Sequence, residues 1–197
     1  MRKSHHRLAG ERRHIQAADH YLLMRNMNIF GEEEPASYHD VALICLNGHV
    51  VNNSSQKYPQ FNAKHCVKCG EPTIDACPNC QKHIKGEYYV PGVVAISSHT
   101  PSAPSFCPEC GKSYPWTDRR LAVAKELADD LDGLTAEEKV KLRGALDDLV
   151  KEGPKAEPAQ FRFKHIMRKA GREGYDMMKT AVTDLVSETV RKSIYGP

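Results

Sequence analysis

Ile44-Cys45-Leu46-Asn47-Gly48-His49, Cys66-Val67-Lys68-Cys69-Gly70, Cys77-Pro78-Asn79-Cys80-Gln81 and Phe106-Cys107-Pro108-Glu109-Cys110-Gly111 contain all seven cysteines of the chain. Six of them form three C-x-x-C pairs, at 66/69, 77/80 and 107/110. Cys45 has no cysteine beside it, but His49 follows with three residues between. Two residues between cysteines let both sulfurs reach one ion at about 2.3 Å. Four pairs supply eight donors, enough for two four-coordinate sites. The spacing therefore predicts two Zn²⁺ per chain, held by structural sites with no open position for water or substrate. A single C-x-x-C would be a weak signal. Three of them with C-x-x-x-H inside 66 residues are a strong one. A thioredoxin-like redox reading would want a βαβ pattern beside its C-x-x-C, and none is found.

The residues around each pair suit a metal knuckle. Gly70 and Gly111 follow the second cysteine of their pairs, where positive φ turns backbone N–H groups toward the thiolates. Gln81 stands in that place after Cys80 and departs from the pattern. Pro78 and Pro108 stiffen their knuckles. Asn47-Gly48 is a tight-turn dipeptide between Val41–Cys45 and His49–Val51, which together read as a hairpin.

Two pairings are open. In the consecutive one, Cys45, His49, Cys66 and Cys69 form the first site, and Cys77, Cys80, Cys107 and Cys110 the second. The closed loops are then 16 and 26 residues long. The interleaved cross-brace of ubiquitin-ligase fingers would join 45/49 with 77/80 and 66/69 with 107/110. Loop entropy grows only as the logarithm of length and favours the consecutive scheme weakly. Strand-like material between the knuckles favours it more, since it suits two stacked zinc ribbons. His65, beside Cys66, is an alternative to His49; His83 and His99 read as surface residues.

The stretch from Tyr38 to Trp116, ending in Tyr114-Pro115-Trp116-Thr117, resembles a bacterial family of double zinc-ribbon proteins of unknown function. The resemblance covers about 80 residues well and the following segment loosely. It implies zinc and a two-part architecture, and it carries no activity across.

The 197-residue chain has 40% hydrophobic, 27% charged and 7% aromatic residues, a soluble composition. Its longest apolar runs, Val41–Leu46 and Val93–Ile96, fall far short of the ~20 residues of a membrane span. Neither a membrane partner nor a secretory signal is expected, so the cytoplasm is the expected location. The formal charge is +3. Seven thiolates around two dications would bring the metallated chain close to neutral, so any basic surface must be local.

Three segments follow. Residues 1–37 read as an appendage, partly disordered, with six basic and two acidic residues among the first 26 and Glu32-Glu33-Glu34 before Pro35. Translation from Met27 in place of Met1 would remove much of it. Residues 38–117 are the double zinc ribbon, with further short strands at Glu87–Val90 and Val93–Ile96 around Pro91-Gly92. Residues 118–197 lack cysteine and read as a helical domain. A helix capped at Thr117-Asp118 is expected through Leu131. Thr135 with Glu138 forms a capping box, and Leu142, Leu146, Leu149 and Val150 recur at helical spacing. A long helical region after Pro158, broken near Gly171 and Gly174, carries a stripe of Met178, Val182, Leu185, Val186 and Val190. That stripe either packs on the preceding helices or forms a homodimer or partner surface. The fold class expected is α+β: two small zinc ribbons with short β-hairpins, then an all-helical C-terminal domain.

Residues 159–172 contain Arg162, Lys164, Arg168, Lys169 and Arg172 and no acid. On one continuous helix Lys164, Arg168 and Arg172 would share a face able to neutralise phosphates. Phe161 and Phe163 would point to opposite sides. The deaminase H-x-E, H-E-x-x-H, P-loop and G-x-S-x-G motifs are all absent. The expected function is a non-enzymatic zinc-binding adaptor. Its ribbons would present a rigid surface, with Glu87 to Ser105 as one such loop, and its helices would dock a protein partner or self-associate. Nucleic-acid binding through residues 159–172 is the alternative, and a zinc enzyme a second one.

Overall fold

A computed structural model describes residues 36–93 and 101–196 of the chain. The N-terminal appendage through residue 35, the expected strand at Val93–Ile96 beyond its first residue, and His99 lie outside the described residues. The chain divides into two compact units. Among described residues, one contains Tyr38 and residues 89–93, with the Tyr38 and Tyr89 rings 5.3 Å apart. The other contains His39–Tyr88 together with the chain from Ile96 on, so both candidate metal sites and every helix belong to it.

The ribbon half is built from short strands. The element β1 spans Tyr38–Val41, β2 Leu43–Cys45, β3 Val50–Asn52, β4 Thr73–Ile74 and β5 Lys85–Tyr89. Strands β1 and β5 form a two-stranded sheet, and β3-β2-β4 a three-stranded one. The expected hairpin is present: β2 and β3 pair antiparallel, Ile44 opposite Val50, across the Asn47-Gly48 turn. On its other side β2 pairs antiparallel with β4, Cys45 opposite Thr73.

Strands this short cannot fix their own loops, so buried polar side chains do it. Asp40 is buried and its carboxylate accepts from the N–H groups of Val41, Gln56 and Lys57. Asn52 donates to Asn62 Oδ1 at 2.7 Å and to the Tyr58 carbonyl, and accepts from Ser54 N–H. Each bond replaces one to water, so an unpaired group here would cost a full desolvation penalty. Gly86 on β5 closes the packing: a Cβ there would lie 2.2 Å from the Asn53 carbonyl oxygen.

Five helices follow among the described residues: α1 Pro115–Asp130, α2 Ala136–Lys151, α3 Ala156–Met167, α4 Gly171–Thr183 and α5 Glu188–Tyr195. The first begins earlier than the Thr117-Asp118 cap expected from sequence. Pro115 takes its first position, where a missing N–H costs nothing. Thr117 is instead buried, its hydroxyl donating to the Ser105 carbonyl at 2.9 Å. The Thr135–Glu138 capping box is formed on α2. Leu142, Leu146, Leu149 and Val150 face inward as expected. The region after Pro158 is three helices, with a turn from Arg168 and Gly171 at φ +74°. Its stripe packs inside the molecule: Met178, Val182, Leu185 and Val190 are buried with Phe163 and Leu142, and Val186 packs against them.

Candidate metal centres

The same local geometry occurs at each C-x-x-C. The residue before the first cysteine bridges to the residue three after the second: His65 with Pro72, Ala76 with His83, Phe106 with Ser113. Inside each bridge the first cysteine's N–H bonds the carbonyl of Glu71, Lys82 or Lys112 at 2.8 Å. Its own carbonyl accepts from Gly70, Gln81 or Gly111 at 2.8, 2.8 and 2.9 Å. Those three residues have φ of +74°, +59° and +70°. Gln81 thus adopts the left-handed conformation despite its Cβ, and its side-chain Nε2 donates back to the Pro78 carbonyl at 3.1 Å. The fourth pair closes differently: Gly48 N–H donates to the Cys45 carbonyl at 2.7 Å, with Gly48 at φ +83°.

These knuckles assemble into two groups whose members are consecutive in the chain. Cys45, His49, Cys66 and Cys69 bring their donor atoms within 4.8 Å of one another, and so do Cys77, Cys80, Cys107 and Cys110. In the first group Cys45 Sγ is 3.5 Å from His49 Nδ1 and 3.7 Å from Cys69 Sγ, and Cys66 Sγ is 3.6 Å from His49 Nδ1. In the second, Cys77 and Cys110 sulfurs are 3.8 Å apart and those of Cys80 and Cys107 3.7 Å. A disulfide needs about 2.05 Å between sulfurs. A tetrahedral ion with bonds of about 2.3 Å to sulfur and 2.0–2.1 Å to nitrogen separates sulfurs by about 3.8 Å, and sulfur from nitrogen by about 3.5 Å. The donor separations fit that tetrahedron, so each group could hold one metal ion. His65 and His83 belong to neither group; both are exposed bridge residues.

The backbone prepares the sulfurs for charge. Burial opposes the Cys66 thiolate, but the N–H groups of Lys68 and Cys69 outweigh it and hold the thiol down to about 6. At Cys107 burial is likewise outweighed, by the N–H groups of Cys110 and Glu109, and the thiol lies at about 6. The Lys82 N–H lowers Cys80, yet burial and three neighbouring sulfurs push it up to about 12. Thiolates crowded together resist ionising in common; a dication between them removes that opposition.

Both groups are tied to α1. The ring of Tyr114 stacks on Trp116 at 4.6 Å, and both are buried with Cys77 and Cys107. Trp116 Nε1 donates to the Pro104 carbonyl at 2.8 Å, three residues before Cys107. At the first group, Arg119 reaches Asn47 Oδ1 at 3.0 Å and Glu71 at 2.8 Å. Arg120 donates to the Asn47 carbonyl at 3.0 Å and to that of Asp184 at 3.3 Å. Gly48 sits directly under α1; a Cβ there would lie 3.0 Å from Trp116 and from Arg120 Nη2. A cleft of about 610 Å³ opens beside His49, lined also by Lys68, Arg120 and Asp184. Sequence reading assigned no role to Tyr114, Arg119 or Arg120. The signal for Tyr114 was its place directly after the last knuckle; nothing marked the two arginines.

The basic residues are placed on separate elements. Arg162 and Lys164 lie on α3, Arg168 caps its end, Lys169 lies in the turn and Arg172 is the second residue of α4. Lys164, Arg168 and Arg172 therefore do not share one helical face, because α3 stops at Met167. Arg162 pairs with Asp148 at 2.8 Å, Lys169 with Glu138 and Arg172 with Asp176 at 4.0 Å. Arg168 lies 3.5 Å from His165 Nδ1. Phe161 is 70% exposed and Phe163 fully buried, on opposite sides as expected.

A model of the family described as "Uncharacterized protein conserved in bacteria (DUF2321)" matches residues 38–194. No curated protein and no solved structure matches the chain. No helix among the described residues is long and apolar enough to cross a membrane.

Proposed function

Because the chain belongs to the bacterial DUF2321 family over both its ribbon and its helical parts, we propose one function that uses both. It is a non-enzymatic zinc-binding interaction protein of the cytoplasm. Cys45, His49, Cys66 and Cys69 hold one Zn²⁺, and Cys77, Cys80, Cys107 and Cys110 a second. Both ions are structural. The observation that carries this reading is the tetrahedral spacing of two closed donor sets, each complete with four protein atoms. A catalytic zinc keeps a position open for water or substrate, and a closed set leaves none. Unpaired cysteines at metal spacing suit a reducing compartment.

The interaction surface of this reading is the cleft at His49, Lys68 and Arg120, together with exposed helix positions such as Phe161. Its partner is a protein. Self-association through the Met178–Val190 stripe is disfavoured, because that stripe already lines the helical core. Nucleic-acid binding has one observation on its side: Lys164 is an exposed cation with no acid paired to it among the described residues.

Native mass spectrometry before and after chelation tests the reading. Two zinc ions per chain are expected in the wild type and one in Cys45→Ser. One zinc or none in the wild type overturns it. Binding to random-sequence nucleic acid that weakens steeply with salt would instead select the phosphate reading.

A further inference from the structure

Among the described residues, Tyr114 Oη is the only buried side-chain oxygen or nitrogen without a hydrogen-bond partner. The residue is 1% exposed, so its hydroxyl is shut off from bulk water. Leaving a hydroxyl buried and unpaired costs about 1–3 kcal/mol. Tyr114 is buried in one cluster with Cys77 and Cys107, so the polar groups nearest its ring are the sulfurs of the second donor set, Cys107 foremost. A thiol is a weak acceptor and a thiolate a strong one. A cysteine that holds a metal does so as the thiolate, and so offers the orphan hydroxyl a strong acceptor.

We propose that Tyr114 is a positioning residue of the second metal site, its hydroxyl donating to the Cys107 thiolate. This rests on the zinc reading above. The first site has three sulfurs and a histidine, with the His49 N–H donating to Cys45 Sγ at 3.3 Å, and among the described residues no unpartnered buried hydroxyl beside it. The second has four sulfurs, whose charge exceeds that of the ion by two, and the phenol O–H draws off part of it. Packing holds the Tyr114 ring in place. It stacks on Trp116 at 4.6 Å with 14° between planes, and the residue's N–H bonds the Ser105 carbonyl at 3.1 Å. Outer-shell donors of this kind orient ligands and tune their basicity.

The test is cobalt substitution of the full chain, comparing wild type, Tyr114→Phe and Tyr195→Phe. Tyr195 is a control: its hydroxyl approaches the Met178 carbonyl in the helical core, and it belongs to a cluster that contains no cysteine. Cobalt reports thiolate electron density through its sulfur-to-metal charge-transfer band. In Tyr114→Phe the band of the four-sulfur site is expected to move to longer wavelength, because the sulfur loses a hydrogen bond. Affinity for the second ion is expected to fall about tenfold. Tyr195→Phe should change neither. Fewer than two tetrahedral cobalt ions in the wild type sinks the metal reading itself. Two ions with band and affinity unchanged in Tyr114→Phe overturn only this inference. Should Tyr114→Phe fail to fold, NMR of the cadmium-loaded wild type decides. A hydroxyl proton coupled to cadmium in the four-sulfur site is the expected result, and its absence overturns the assignment.

Discussion

Among the described residues from Ala42 to Trp116 the central buried cluster is seven residues, two of them Cys77 and Cys107 of the second donor set. From Ala124 to Ile194 it is seventeen residues, none polar. The second cluster is an ordinary apolar core, each large side chain worth about 1.5–3 kcal/mol on burial. The first is too thin to hold strands of two to five residues. Metal ligation at the two donor sets could supply what is missing, about 10–16 kcal/mol in small fingers. The comparison teaches that one chain can use two unlike sources of stability, joined at the first turn of α1.

Removing metal should break this comparison most. Chelation is expected to unfold the ribbon half and leave α2–α5 helical, with α1 frayed at Trp116 and Thr117. Circular dichroism with NMR of the chelated chain checks it. Loss of all helicity would mean that the two halves are a single cooperative unit. A cut on the other side comes next. Phe163→Ala, in the middle of the helical core, should cost about 3–5 kcal/mol by thermal denaturation. Metal content should be unchanged, whereas release of an ion would show that the helices hold the ribbons together.

Within the ribbon half, Gly86→Ala asks how closely the strands pack. With a Cβ 2.2 Å from a backbone oxygen the strand must shift, and a loss of about 1–3 kcal/mol is expected. An unchanged melting temperature would contradict the contact. Gln81→Gly should stabilise the second site by about 1 kcal/mol, since glycine adopts φ +59° without penalty. A clear loss would mean that the Gln81–Pro78 bond outweighs the strain.

The smallest effect belongs to α2. The Lys169 ammonium, and then the Thr135 N–H, hold the Glu138 carboxyl at about 2, below its ordinary value of 4.5. A depressed acid stabilises the fold when ionised. That contribution is complete above about pH 4.5 and is lost as pH falls toward 2. Glu138→Gln should flatten this stretch of the stability–pH curve, and an unaltered curve would remove Glu138 as its source.

Much of this molecule was legible in eight residues. C-x-x-C and C-x-x-x-H spacings are local: they fix which atoms can meet within a turn, and the knuckle backbone follows from them. The Thr135 capping box and the Leu142–Val150 stripe are legible for the same reason, since helix caps and periods are read within a few residues. What failed was also instructive. The face joining Lys164, Arg168 and Arg172 assumed an unbroken helix, although a break near Gly171 was itself expected; α3 stops at Met167 and Gly171 takes φ +74°, so the break falls inside that face. Thr117 looked like a cap and is a buried donor to Ser105, because Pro115 had already begun the helix.

By itself, then, the sequence determined the four Cys/His pairs, the hairpin turn at Asn47-Gly48 and the apolar face of α2. Each depends on spacing along the chain. Only the tertiary structure decided which pairs come together, that Gly48 lies under Trp116 and Arg120, and that Tyr114 is buried with Cys77 and Cys107. Those relations join residues that are distant in the chain. Loop entropy scarcely distinguishes one closure from another, so packing and hydrogen bonding choose among them.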